Sequence, residues 1–311
     1  MSGVSVICFA ASYAVALALE ISRLWFRSGW RGVLMIGFAA AGWAAHTAFL
    51  CHQAVAAPGV PLSSERDWFL MAAWALAAVY LYLAVGHPKT PFGLFLLPLV
   101  LALVGAARFA ARTEALAQPR ASAVWGTMHG ASIVLAAVAV LIGFAAGVMY
   151  LTQSRRLKQN RPTAGGWRWP SLEWLQWANS RAILVSLVML AVGVVSGMIL
   201  NRIQTDGATR LTWTDPVVLT TWLLFLWLLA AAILGALYRP ALAGRKVAYL
   251  TLVSFLFLAI LLVVGLLVDS RHWRRAESGA SKVTDQKIQS PFPLPSPLSP
   301  LHFSRGGRHA D

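Results

Sequence analysis

Seven histidines are the richest source of chemistry in this chain of 311 residues. Four of them, His46, His52, His129 and His272, fall toward the same ends of their apolar runs. They are far apart in sequence but belong to one face of the membrane that those runs imply. Neutral imidazole is a good axial ligand for haem iron, and two imidazoles can clamp the metal from opposite sides. The alternative for any one of them is an interfacial histidine hydrogen-bonded to a backbone carbonyl. Other ionisable groups are scarce inside the runs. Glu20 lies near the inner end of the first, where it can reach the interface, and no Asp, Glu or Lys sits at a midplane. Proton- and cation-coupled transporters need such groups, so a small-solute permease is disfavoured. The two cysteines, Cys8 and Cys51, form neither Cys-x-x-Cys nor Cys-x-x-Cys-His. That excludes a thioredoxin-like oxidoreductase and a c-type cytochrome. Both fall near the outer ends of their runs, where a disulfide and two independent buried thiols are both open readings.

The elements that position these residues follow from composition. Hydrophobic residues make up 58% of the chain and charged residues 12%, against about 25% charged in soluble domains. Eight runs are apolar and long enough to cross a hydrocarbon core of about 30 Å: Val4–Leu24, Gly32–Cys51, Trp68–Val85, Phe92–Ala110, Trp125–Leu151, Ala182–Leu200, Val217–Leu237 and Val247–Val268. They are continuously apolar and do not alternate, which predicts an all-α polytopic helix bundle of about eight transmembrane helices, not a barrel. The first run lacks a basic flank before it and reads as a span, not a cleaved leader. Gly143 and Gly147, and Gly193 and Gly197, form Gly-x-x-x-Gly pairs that let helices approach closely in lipid.

The net charge of +15 reflects topology. Basic residues concentrate in the odd loops: Arg23, Arg27 and Arg31, then Lys89, then Arg155 through Arg181, then Arg239, Arg245 and Lys246. The odd loops are therefore read as cytoplasmic and both termini as external. Arg271, Arg274 and Arg275, after the last run, stand against this rule. No basic, aromatic-interleaved soluble domain exists to bind nucleic acid. Residues 1–275 read as one membrane domain, and 276–311, rich in Ser and Pro, as a disordered tail. In the fifth loop Trp167, Trp169, Trp174 and Trp177 flank Pro170-Ser171-Leu172-Glu173, which predicts a short interfacial helix at headgroup level. In the sixth, Trp213 precedes Asp215-Pro216, followed by Trp222 and Trp227. Asp215 is suited to cap the seventh helix and Pro216 to open it.

Three stretches resemble the cytochrome c assembly family, in particular its CcsA-like and HemX-like members. The first opens Met128-His129-Gly130 and closes Tyr150-Leu151-Thr152-Gln153-Ser154-Arg155-Arg156-Leu157-Lys158. The second is Pro170-Ser171-Leu172-Glu173 through Arg181, and the third runs from Trp213 and Asp215-Pro216 through Trp222 to Gly244-Arg245-Lys246-Val247-Ala248-Tyr249-Leu250. Together they span about residues 125–270; the first four runs match in character, with His46 a counterpart of the family's intramembrane histidine. The resemblance implies a protein that binds haem, expected as haem b, at the external face and handles it for attachment to apocytochrome c. It implies His129 and His272 as axial ligands, flanking a tryptophan-rich segment of Trp213, Asp215 and Trp222; a propionate-bearing ring also needs basic groups, which Arg202 or Arg210 could supply. No large external domain stands between the runs. The expectation is thus a component of a cytochrome c haem lyase (synthetase) system in the lipid membrane, working with apocytochrome c or a partner carrying an external domain. Fewer tryptophans before Asp215 and the pair Val217-Val218 after Pro216 are closer to the HemX-like side. That leaves a second reading: a membrane scaffold or regulator of haem biosynthesis with a degenerate site, acting through the cytoplasmic loop Gln153–Arg181.

Overall fold

In lipid no water satisfies a free backbone group, so each crossing segment must pair its own N–H and C=O groups as a helix. The computed structural model describes residues 5–23, 29–56, 64–87, 90–109, 111, 120–159, 169–203, 214–237 and 240–267. Among them run eight helices: α1 (Val6–Ser22), α2 (Gly29–Ala56), α3 (Glu65–Gly86), α4 (Gly93–Phe109), α5 (Arg120–Lys158), α6 (Leu172–Ile203), α7 (Pro216–Leu237) and α8 (Pro240–Leu267). Six are long and apolar enough to cross a membrane, and the chain is a multi-pass membrane protein. The other two, α1 and α4, have 17 residues each and span about 26 Å at 1.5 Å per residue. They are shorter than the eight full-length runs expected from sequence.

The helices form two four-membered groups. α1 to α4 pack each on the next, with α4 returning to α1; α5 to α8 do the same, with α8 returning to α5. α3 and α4 join the groups by packing on α5. Small residues set the close approaches. A Cβ on Gly143 would meet Ala182 and Thr251, one on Gly147 would meet Thr251, Leu252 and the Ala248 carbonyl, and one on Gly42 would meet Ser12 and Tyr13. Polar links cross the same seams. The Thr251 hydroxyl lies 3.2 Å from Asn179 Oδ1, both side chains being buried. Arg245 donates from Nε and Nη2 to Ser154 Oγ at 3.1 and 3.0 Å, tying the start of α8 to the end of α5. Arg155, Arg156 and Lys158 fill the last turn of α5, where cations suit the carbonyl end of the helix.

Several sequence expectations change. There is no separate interfacial helix after Pro170. Ser171 accepts from the Trp174 N–H at 3.1 Å and caps a helix that continues unbroken to Ile203. Trp174 and Trp177 are thus the first turns of α6, because a well-capped start and an unbroken run of helix formers give the chain no reason to stop. Trp169 instead receives the Arg156 guanidinium over its ring at 5.1 Å. Glu20 does not reach out to the interface; it is buried, ion-paired to Arg23 at 3.1 Å. Cys8 and Cys51 are free and exposed, so the chain carries neither the disulfide nor a buried thiol pair. The tail 276–311, with Arg271, Arg274 and Arg275, lies outside the described residues.

The α5–α8 seam yields a paired test. In Gly147→Ala the new methyl meets Thr251 Oγ1 at 2.6 Å and a backbone carbonyl at 3.2 Å, so the thermal midpoint in detergent should fall, by about 1–3 kcal/mol of stability. Gly235→Ala on α7 meets nothing within 4 Å and should hold or raise the midpoint, by roughly 0.5–1 kcal/mol.

Candidate functional site

His129 is in the outer part of α5 by the loop-charge reading, where it meets the outer part of antiparallel α6. Its Nδ1 lies 2.7 Å from the Gly193 carbonyl oxygen. A carbonyl can only accept, so the hydrogen is on Nδ1 and the ring is held in one tautomer. Nε2 then carries the lone pair, and it makes no hydrogen bond among the described residues. The ring fits because α6 offers no side chain there. A Cβ on Gly197 would lie 2.9 Å from both His129 Cε1 and Nδ1, and one on Gly193 would strike Ile133. The Gly193/Gly197 pair is therefore a seat for the imidazole as well as a helix contact. An Nδ1–H bound to a carbonyl is also how proteins orient a metal-ligating histidine. The two readings of this residue, carbonyl-bonded interfacial histidine and haem ligand, describe one geometry.

His46 is held differently. It is fully buried in α2, ten residues short of Ala56, about 15 Å down the helix. Phe9 stacks on its ring at 4.0 Å with 4° between planes, and Tyr13 OH lies 3.4 Å from Nδ1. Among the described residues its Nε2 has no hydrogen-bond partner, and it is buried. Phe9 covers one face, Tyr13 meets the edge and the residue has no exposure, so in this packing it presents no open face to a flat ligand as large as a porphyrin. His46 and His129 thus belong to different helix pairs, α1–α2 and α5–α6. His52 is exposed further along α2.

Asp215 caps α7. Its Oδ1 accepts from the Val217 N–H at 3.0 Å and its carbonyl from the Leu219 N–H at 2.9 Å. Pro216 opens the helix as its sequence position implies. Trp222 lies in the second turn, edge-on to Phe225 at 5.8 Å. Trp227 reaches across to α8, donating from Nε1 to Ser254 Oγ at 3.1 Å. Arg202 is exposed at the end of α6, beside an open apolar groove lined by Val195, Met198, Ile199 and Ile203. At 100° per residue that groove is on the face of α6 away from Gly193 and Gly197. Trp213, Arg210 and His272 lie outside the described residues. Among the described residues no three His, Cys, Asp or Glu side chains come together to hold a metal ion.

Sequence reasoning passed over Trp68, whose indole covers the backbone of Gly130, next to His129. The available signal was a glycine directly following a histidine inside a helix, where glycine is costly unless something needs the space. It also passed over Phe9 and Tyr13, which have no motif and reach His46 only through the α1–α2 contact.

Known proteins supply the family. The model of the cytochrome c assembly protein family matches residues 65–271, from the start of α3 to just beyond α8. The chain belongs to the cytochrome c assembly protein family. His129, Trp213, Asp215 and Trp222 lie inside the matched region, His272 one residue past it, and α1, α2 and His46 before it. The chain is 25% identical to the cytochrome c biogenesis protein CcsA of Synechococcus sp. (strain CC9605) over 226 residues, covering 64% of this chain and 72% of that protein. The same figures hold for the CcsA of Synechococcus sp. (strain CC9902). No solved structure matches the chain.

The seat of His129 can be tested without any ligand. Gly197→Ala places a methyl 2.9 Å from the imidazole, too close for the ring to stay in place. The variant should lose about 1–3 kcal/mol by thermal unfolding. Adding His129→Ala, which removes the clashing ring, should make the further cost of Gly197→Ala small, a coupling that a double-mutant cycle reads directly.

Proposed function

We propose that this protein takes part in cytochrome c maturation by binding haem at the external membrane face and presenting it for attachment to apocytochrome c. The observation that carries the reading is the His129 imidazole, oriented by Gly193 through Nδ1, with Nε2 making no hydrogen bond among the described residues. Family membership and the CcsA relatives support the pathway; this geometry supports the ligand. His129 and His272 would hold the iron, expected as that of haem b. Trp222, with Trp213, would supply the aromatic surface along the ring, and Asp215 would hold α7 so that Trp222 stays at that level. Arg202 or Arg210 would pair with the propionates. Bound haem supplies the vinyl groups that become attached to cytochrome c. The residues of this chain hold its iron and orient its plane.

The fit is uneven. His129 meets the requirements of a ligand, while His46 is covered by Phe9 and Tyr13. The partners are apocytochrome c or an assembly protein that carries an external domain. The excess of basic residues in the odd loops supports placing the termini and the site outside.

The deciding experiment is the absorption spectrum of the detergent-purified protein, oxidised and dithionite-reduced, beside a His129→Ala/His272→Ala double variant. The expected result is a Soret band with sharp α and β bands on reduction, lost in the variant. Wild-type protein that stays featureless after haem is added would overturn the ligand assignment. It would favour instead a scaffold or regulator acting through the loop Gln153–Arg181.

A further inference from the structure

We infer that Trp68 is a positioning residue for His129, acting through the backbone of Gly130 where α3 crosses α5. A Cβ built on Gly130 would fall 2.5 Å from Trp68 Cη2 and 2.7 Å from Cε2, with Cζ2 nearer still. No real side chain tolerates such approaches, so the indole occupies the volume any other residue at 130 would need. Gly130 directly follows His129. A second constraint on this turn comes from α6, where the His129 ring is bonded to Gly193 and pressed against Gly197. The turn of α5 carrying His129 is thus gripped by both α3 and α6.

Trp68 is itself held firmly. It is the fourth residue of α3, and the first turn is locked by a capping box. Asp67 N–H donates to Ser64 Oγ and Ser64 N–H to Asp67 Oδ2, both at 3.2 Å. Gln53 Nε2, near the end of α2, donates to Asp67 Oδ1 at 2.5 Å. The Arg66 guanidinium sits 5.8 Å from the centre of the Phe49 ring on α2. An indole mounted on so fixed a turn is a rigid stop against which α5 seats. Metal ligands work only when their supports fix them to within a fraction of an ångström. Glycine at 130 gives up about 1 kcal/mol of helix propensity, and the indole contact is what requires it. A stacked tryptophan of the same helix, Trp74 on Trp43 at 5.5 Å and bonded to Thr47 of α2, faces α2 and serves as a packing control for His129.

The inference deepens the haem reading, resting on it for its purpose, but its test does not require haem. Haem-free wild type, Trp68→Ala, Trp68→Phe, Gly130→Ala and Trp74→Phe would be treated with diethyl pyrocarbonate, and carbethoxylation at each histidine followed by mass spectrometry. With the stop removed or displaced, His129 should loosen from Gly193 and react several-fold faster in Trp68→Ala and in Gly130→Ala. Trp68→Phe should largely keep the wild-type rate, and His46 and Trp74→Phe should show no such change. An unchanged His129 rate in either Trp68→Ala or Gly130→Ala, with the protein still folded, overturns the inference. In haem-loaded samples Trp68→Ala should shift from a low-spin to a partly high-spin spectrum that added imidazole reverses. If His129→Ala leaves the haem spectrum as in wild type while the reactivity result holds, the haem reading fails and the positioning role stands.

Discussion

Helix α5 is the shared wall of the molecule. Both four-helix groups rest on it, and the contacts around His129 are contacts with its N-terminal part. That arrangement works because lipid offers no hydrophobic drive for helices to associate, so they come together where small residues allow close packing and where polar groups find partners across the seam. Gly143 and Gly147 admit α8, with Thr251 bonded to Asn179 beside them, and Gly193 and Gly197 of α6 admit the His129 ring. Gly130 admits α3 through Trp68. Each close approach removes freedom from the same helix, so the orientation of one imidazole is set by packing on several sides.

The site has one well-defined half in these residues. His129 has its Nδ1 on the Gly193 carbonyl and an Nε2 that makes no hydrogen bond among the described residues, which is what the proposed ligand role requires. Asp215 and Trp222 mark the entry of α7, with the aspartate committed to capping. His46, for all its similarity in type, is a core residue sealed by Phe9 and Tyr13. The contrast shows why residue type alone does not assign a role: both imidazoles are met at Nδ1, but one by a hydroxyl under a stacked phenyl ring and the other by a backbone carbonyl beside two glycines.

Much of the architecture was legible in the sequence because continuous apolar length is an unambiguous signal in a membrane protein. The eight helices follow the eight runs, and Asp215-Pro216 opens α7 as capping chemistry requires. Boundaries were less legible. The Pro170–Trp177 stretch carries tryptophans that suit an interface, but Ser171 caps a helix that simply continues. Side-chain partnerships across helices were not legible. Nothing in the spacing of Trp68 and Gly130, or of Phe9, Tyr13 and His46, announces contacts between residues so far apart in the chain. The placement of Glu20 was missed for the same reason. Its burial comes from α4, where a Cβ on Gly93 would touch the Glu20 and Tyr80 side chains.

That corner has a consequence for the surrounding lipid. α1 and α4 are the two shortest helices, they pack on one another, and Glu20 and Arg23 close one end of α1 as an ion pair. A hydrophobic wall of about 26 Å is shorter than the hydrocarbon core it faces. Acyl chains beside it must compress or tilt to match, at a cost of fractions of a kcal/mol per ångström. A bilayer that thinned to match α1 and α4 would bring its headgroups nearer the charged pair, and lipids with shorter chains would be favoured beside those two helices.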